Sequence, residues 1–192
     1  MTQSLDLLGW IACIVYSTIP TFWLLIHPRA DYWRSRKRSP YLILLPLWIA
    51  LWIALGLLTS RWRHATLYTT SWTWPPGILL FTTGLWIYSQ SAKHFTPAQL
   101  GGLPEILPNH REQRLATSGI RGHIRHPVYL AHLLEMLAWS LGTGLAVCYA
   151  LTAFALLTGS LMIRLEDQEL EQRFGEPYRD YRRKVSSILP WM

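Results

Sequence analysis

The stretch Leu5 to His27, LDLLGWIACIVYSTIPTFWLLIH, decides the fold class. Its 23 residues are apolar almost throughout. As an α-helix they extend about 34 Å, enough to cross a hydrocarbon core of about 30 Å. Outward from it, Tyr41 to Thr59 reads as a second span, Pro75 to Ser91 as a shorter third, Val128 to Leu141 as a fourth and Leu145 to Ile163 as a fifth. The fourth reaches a usable length if its helix starts at Pro127 and tilts little. Gly142-Thr143-Gly144 supplies a turn so short that the last two spans must form an antiparallel hairpin. The composition agrees: of 192 residues 51% are hydrophobic, 11 are Trp and only 15% are charged, against roughly 25% in soluble domains. Residues 1–192 therefore read as one all-α, membrane-embedded unit with spans at about 5–27, 41–59, 75–91, 127–141 and 145–163.

Orientation follows from the Lys and Arg counts of the connections. There are none before Leu5, 5 in 28–40, 2 in 60–74, 5 in 92–127, none in the tight turn and 6 from Arg164 onward. Rich and poor segments alternate, which predicts the N-terminus outside and the C-terminus in the cytoplasm. The net charge of +7 is then orientation plus attraction to anionic headgroups, with no nucleic acid required. Trp62, Trp72 and Trp74 fit an aromatic belt at the outer interface. The first residues lack a basic n-region and the first run has no small-residue cleavage site, so that run is kept as a span and not as a removable signal. Cys13 and Cys148 lie inside apolar runs with no cysteine near them in sequence, which marks them as small hydrophobes.

Two constellations carry chemistry, both expected on the cytoplasmic side. Arg125-His126-Pro127-Val128-Tyr129 stands at the mouth of the fourth span. Proline in a first turn costs no hydrogen bond, so Pro127 starts the helix and leaves Arg125 and His126 beside its free N–H groups, with Tyr129 about one turn on. That is an anion site for a carboxylate or phosphate; the alternative is a pair of residues snorkelling at the interface. The second constellation, Arg164-Leu165-Glu166-Asp167-Gln168-Glu169, leaves the fifth span on the same side. Adjacent carboxylates against an anionic surface want a cationic partner, while Glu169 and Arg173 form an ordinary i, i+4 pair on an exposed face. Gly175 closes this helix and Pro177 starts a short basic amphipathic helix that lies on the membrane. Brought together by the hairpin, these groups suit a zwitterion with an added positive centre, and S-adenosylmethionine is one such molecule.

The set of Gly119, Ile-Arg-His-Pro-Val-Tyr at 124–129, Arg-x-Glu-Asp at 164–167 and Phe174-Gly175-x-x-Tyr178-x-x-Tyr181 resembles the isoprenylcysteine carboxyl methyltransferase and phospholipid methyltransferase superfamily of integral membrane enzymes. The resemblance covers roughly Ala116 to Trp191. It implies S-adenosylmethionine as methyl donor, bound between the C-terminal membrane helices by Gly119, Arg125, His126, Tyr129, Glu166 and Asp167, and a lipophilic acceptor reaching the site from the bilayer. Arg121 stands where the family commonly has Tyr, Asp167 replaces a second Glu, and 94–109 matches no substrate motif. No Gly-x-Gly-x-x-Gly follows a strand, so a soluble Rossmann-type methyltransferase is not in view.

His132 and Glu135, at i and i+3 one to two turns inside the fourth span, are functional candidates because ionisable residues at that depth are costly; the alternative is an interhelical hydrogen bond. The catalytic candidates are Arg164, which would orient an acceptor carboxylate, Glu166, which meets the donor's ammonium, and His132 or Glu135, which would take a proton from an amine. His123, His126 and His132 lack an acidic ligand at metal spacing, so no metal is assigned. The expected function is an integral membrane S-adenosylmethionine-dependent methyltransferase with its active site facing the cytoplasm, acting on an isoprenylcysteine-like carboxylate or a lipid amine or thiol. Its partners are that acceptor and membrane lipids. The alternatives are a sterol-reductase-like NADPH-dependent reductase and a non-enzymatic lipid-binding membrane protein. The segment 94–109 is expected to cover the cleft and select the acceptor.

Overall fold

The computed structural model describes residues 2–35, 40–93 and 115–189; the segment 94–109 lies outside them. Helix α1 (Thr2–Ile26) passes through a 3-10 turn at His27–Arg29 into the short α2 (Ala30–Ser35). Then come α3 (Tyr41–Ser60) and α4 (Trp74–Ala92). A 3-10 turn at Gly119–Gly122 precedes α5 (Pro127–Thr143), α6 (Ala146–Phe174) and α7 (Glu176–Lys184). Among the described residues the only β-type pairings are isolated bridges, Thr66 with Leu145 and Ile124 with Ser186.

Each run read as a span from the sequence is a helix, but length and apolarity alone qualify three stretches to cross a membrane: Gln3–Trp33, Tyr41–Ser60 and Ala146–Phe174. Helix α5 has 17 residues, and α4 interrupts its apolar residues with Thr82, Thr83, Ser89 and Gln90. The hydroxyls of α4 turn back on their own helix, Thr82 to the Ile78 carbonyl at 2.9 Å and Thr83 to that of Leu79 at 2.7 Å, which satisfies them in an apolar setting. Helices α4 and α5 share the most extensive interface in the molecule. A Cβ added at Gly84 would stand 2.9 Å from the Ala131 carbonyl oxygen, and one at Gly77 3.1 Å from that of Ala138. Small residues let the two backbones approach this closely.

The core lies where α1 meets α5 and α6, around Ile14, Met136, Val147 and Leu151. Cys13 and Cys148, remote in sequence, are both fully buried there and share a thiol hydrogen bond, with no disulfide. Helix α3 buries only 6% of its apolar window, against 44% for α1 and α6. Polar pins hold it to α1: the Trp48 and Trp52 indoles both donate to Thr18 Oγ1, at 2.8 and 2.7 Å, and Trp10 donates to Thr59 Oγ1 at 2.9 Å.

The hairpin turn is shifted from Gly142-Thr143-Gly144, because α5 runs on through Thr143 and the chain turns at Gly144, at φ +66°, and the extended Leu145. Gly142 instead makes room for Trp74, whose Cζ3 would lie 2.8 Å from a Cβ there. Trp74 is thus a half-buried packing residue, whereas Trp72 is 85% exposed as an interface belt requires. Tyr68 clamps the turn, its hydroxyl reaching the Leu141 carbonyl at 3.0 Å and the Tyr149 hydroxyl at 2.6 Å. At the other end α6 does not stop at Ile163: no breaker intervenes before Gly175, at φ +65°, so the apolar segment and the acidic motif share one continuous helix.

Candidate active site at the mouth of α5 and α6

Helix α6 delivers Glu166 and Asp167 rigidly to the start of α5, where they meet Arg125 and His126. Pro127 opens α5 with His126 as its N-cap. The N–H groups of Arg125 and His126, which precede the first turn of α5, donate to the carbonyls of Ser186 and Ser187, both at 2.9 Å. The C-terminal segment therefore folds back on the mouth. Tyr181 reinforces the fold-back by donating to the Arg121 carbonyl at 2.6 Å.

Asp167, 4% exposed, gathers three donors. Arg125 Nη2 reaches Oδ2 at 3.0 Å, His126 Nε2 reaches Oδ1 at 2.9 Å, and the Tyr178 hydroxyl donates a short hydrogen bond to Oδ1. Arg125 also donates through Nη1 to the carbonyls of Val185 and Arg182. The other ring nitrogen of His126, Nδ1, lies 3.3 Å from Glu166 Oε2. An imidazole between two carboxylates is an imidazolium: burial alone would lower its pKa, but the charge of Glu166 and the hydrogen bond to Asp167 raise it to about 9. Reciprocally, burial pushes Glu166 up, and the charge of His126, with His27 and Arg121 beyond, brings it down to about 2. Asp167 is likewise held well below the usual carboxylate range, its burial outweighed by His126, Tyr178 and Arg125.

Glu166 is the exposed flank of this cluster, with its side chain 20% accessible. Its Oε2 is buried without a hydrogen-bond partner, since the contact with Nδ1 is an ion pair only. An unsatisfied anionic oxygen beside a cation is a ready acceptor for a ligand's ammonium group. Gly119, at φ +62°, opens the 3-10 turn that carries Arg121, and Arg121 Nη1 donates to the Arg125 carbonyl at 3.1 Å. Tyr129 sits one turn into α5 with its ring centroid 6.1 Å from that of His126.

His132 and Glu135 form a second, deeper group. The His132 ring stacks on Tyr16 of α1 at 5.2 Å and lies 6.2 Å from Tyr88 of α4, while Glu135, 3% exposed, adjoins Tyr16. Arg164 joins neither group: it is exposed and makes no hydrogen bond or ion pair among the described residues. Glu169 pairs with Arg173 at 3.2 Å but is only 11% exposed, less than an ordinary solvent-facing pair.

A cleft of about 60 Å³ runs beside His132 and reaches Tyr129. Its walls are Tyr16 and Pro20 of α1, Tyr129, His132, Leu133 and Met136 of α5, and the α6 face running from Ala155 through Gly159 to Ile163, with Ile188 at the tail end. Sequence reading passed over Tyr16 and His27. His27 ends α1 at 5% exposure, with Nδ1 lacking a hydrogen-bond partner. An ionisable residue at a span end on the same side as both motifs was the available signal for it.

No family model and no solved structure matches the chain. Among curated proteins it is 29% identical over 168 residues to methanethiol S-methyltransferase of Mycobacterium tuberculosis, which covers 82% of this chain and 65% of the relative. It is 28% identical over 152 residues to human protein-S-isoprenylcysteine O-methyltransferase, covering 69% and 49%. A mouse Δ14-sterol reductase matches at 32% identity, but over 46% of this chain and 22% of the reductase. The chain thus spans about half to two thirds of the length of its methyltransferase relatives. With the Arg-His-Pro-x-Tyr and Glu-Asp motifs joined in one buried cluster and these relatives aligned over most of its length, the chain is similar to the isoprenylcysteine carboxyl methyltransferase-like membrane methyltransferases.

Proposed function

We propose that the chain is an S-adenosylmethionine-dependent methyltransferase whose donor binds at the mouth of α5 and α6 and whose lipophilic acceptor occupies the cleft between α1, α5 and α6. The observation that carries this reading is the Glu166 Oε2, buried and without a hydrogen-bond partner beside the His126 imidazolium. The residues present fit the donor: Glu166 accepts from its α-ammonium, while His126 and Arg121 supply positive charge for its α-carboxylate. Tyr129, shared by mouth and cleft, walls the passage between them. Asp167 and Arg125, satisfied by one another and by the tail, hold the mouth in shape. When bound, S-adenosylmethionine supplies a methyl group on a sulfonium. The protein's contribution is placement of the acceptor in line with that methyl group and exclusion of water from an apolar cleft.

This reading keeps all five helices as spans, with the N-terminus outside and the mouth in the cytoplasm, as the Lys and Arg distribution supports. The short α5 is accommodated by slight thinning of the bilayer. A lipophilic acceptor enters sideways, because leaving the bilayer for water costs about 0.8 kcal/mol per methylene. The names of the relatives span a small thiol and a lipidated carboxylate, and both are apolar enough to arrive that way. Arg164, exposed at the membrane border, is the residue we assign to a lipid headgroup or an acceptor carboxylate. Thermal unfolding of the detergent-purified chain tests the reading: S-adenosylhomocysteine should raise the midpoint and NADPH should not. A shift with NADPH alone would favour a reductase, and no shift with either would favour a lipid-binding protein.

A further inference from the structure

The cleft has a chemical character that the donor reading leaves unused. Among the described residues, none of those lining it is Lys, Arg, Asp or Glu; its polar groups are the hydroxyls of Tyr16, Tyr129 and Ser160 and the imidazole of His132. An amine would enter as a cation, losing water without gaining a counter-ion, and a carboxylate as an anion that no cation of the lining meets, only the donor's sulfonium. An alkanethiol enters neutral, because its ordinary pKa lies above neutrality. It then needs a base, because the thiolate and not the thiol is the nucleophile.

His132 has the features of that base. It lines the cleft, its Nδ1 is buried without a hydrogen-bond partner, and its ring lies on Tyr16 with centroids 5.2 Å apart and planes 23° from parallel. The rings packed around it are Tyr16 from α1 and Tyr88 from α4. His132 follows His126 by six residues, a rise of about 9 Å along α5, and the cleft it lines reaches Tyr129 at the mouth.

We propose that the cleft takes a small neutral thiol and that His132 is its catalytic base, with Tyr16 and Glu135 as positioning residues. This rests on the donor reading above. In the step, the thiol S–H bond breaks and the proton passes to the imidazole. The thiol sulfur forms a bond to the donor methyl carbon, the bond from that carbon to the sulfonium breaks, and its electron pair stays on the donor sulfur. The products are a neutral thioether, neutral S-adenosylhomocysteine and an imidazolium. Tyr16 covers that imidazolium with its ring face, and Glu135, one turn further along α5, adjoins Tyr16.

The test uses the full chain in lipid nanodiscs, with butanethiol and the more acidic 2,2,2-trifluoroethanethiol as acceptors and calorimetric binding of S-adenosylhomocysteine as a second readout. His132→Asn should lower kcat for butanethiol about 100-fold, the usual worth of a general base, and lower it about 10-fold or less for trifluoroethanethiol, which gives up its proton more readily. S-adenosylhomocysteine affinity should stay within about twofold, because His132 does not touch the donor's anchoring groups. His132→Gln, read the same way, covers failure of the first variant to fold, and Tyr16→Phe should give a smaller loss with the same dependence on thiol acidity. Equal losses on both thiols, no loss on either, or methylation of an S-farnesylcysteine carboxylate with no thiol accepted would each overturn the proposal while leaving the donor site standing. Absence of S-adenosylhomocysteine binding by the unaltered chain would overturn both.

Discussion

Asp167→Asn probes the joint on which the site depends. The Asp167 carboxylate is 4% exposed and receives Arg125 at 3.0 Å, His126 at 2.9 Å and the Tyr178 hydroxyl. The amide keeps one acceptor oxygen but turns an N–H group toward a donor and removes the charge opposing a guanidinium that is itself 8% exposed. Leaving a buried cation without its partner costs about 3–5 kcal/mol. Glu166 still faces His126, so the lower end, about 3 kcal/mol, is expected. For a chain of this size that lowers the unfolding midpoint by roughly 6–12 °C. Tryptophan fluorescence during heating in detergent is a sufficient assay, with 11 Trp in the chain. Because the same carboxylate holds Tyr178 of α7, the variant should also open the C-terminal segment to limited proteolysis before global unfolding. A midpoint within about 2 °C of the unaltered protein, with an unchanged cleavage pattern, would mean that the Arg125–His126–Asp167 cluster does not hold the mouth together.

Stability should depend on pH in a direction fixed by His126. Its pKa in the fold, about 9, lies above its ordinary 6.5, so its contribution is fully present below about pH 6.5 and is lost as pH rises through 9. Glu166, lowered from 4.5 to about 2, contributes above about pH 4.5 and loses its contribution as pH falls through 2; midpoints measured from pH 5 to pH 10 should therefore decline across the upper half of that range. Gly84→Ala should destabilise by about 1–3 kcal/mol, since its Cβ would meet the Ala131 carbonyl oxygen and Glu135 Cγ, both at 2.9 Å; a neutral effect in thermal unfolding would mean that α4 and α5 are not closely apposed. A cysteine placed in the 60–74 loop should react with a membrane-impermeant maleimide in intact cells, and one after Trp191 should not; labelling of both would contradict the alternating topology.

What the sequence disclosed and what it withheld have physical reasons. The helices were legible because apolar runs bounded by Arg, Gly and Pro leave few alternatives, and Pro127, Gly144 and Gly175 fall at helix ends. The mouth was legible as two charged motifs joined by a hairpin. Their mutual pairing was not, because it depends on α6 continuing as a helix past Ile163 and on the tail supplying Ser186 and Ser187 to the α5 N-terminus. The backbone of Arg125 and His126 pairs with a segment sixty residues away, which no local pattern announces. Tyr16 and His27 could not be tied to the site from sequence, since only packing of α1 against α5 and α6 brings them there. For Cys13 and Cys148, sequence distance concealed contact for the same reason.

The most direct test of the account is transfer of a labelled methyl group from S-adenosylmethionine by the purified chain in lipid nanodiscs, with butanethiol supplied, compared between the unaltered protein and Glu166→Gln. The account predicts label in an organic-extractable product that depends on the added thiol. It also predicts a loss of about 30-fold or more in kcat/KM for the donor in Glu166→Gln, the cost of leaving the donor's ammonium without its charged partner being about 2–5 kcal/mol. Glu166→Gln with unchanged donor affinity and turnover, or an unaltered protein that transfers no label to any lipophilic acceptor, would contradict it.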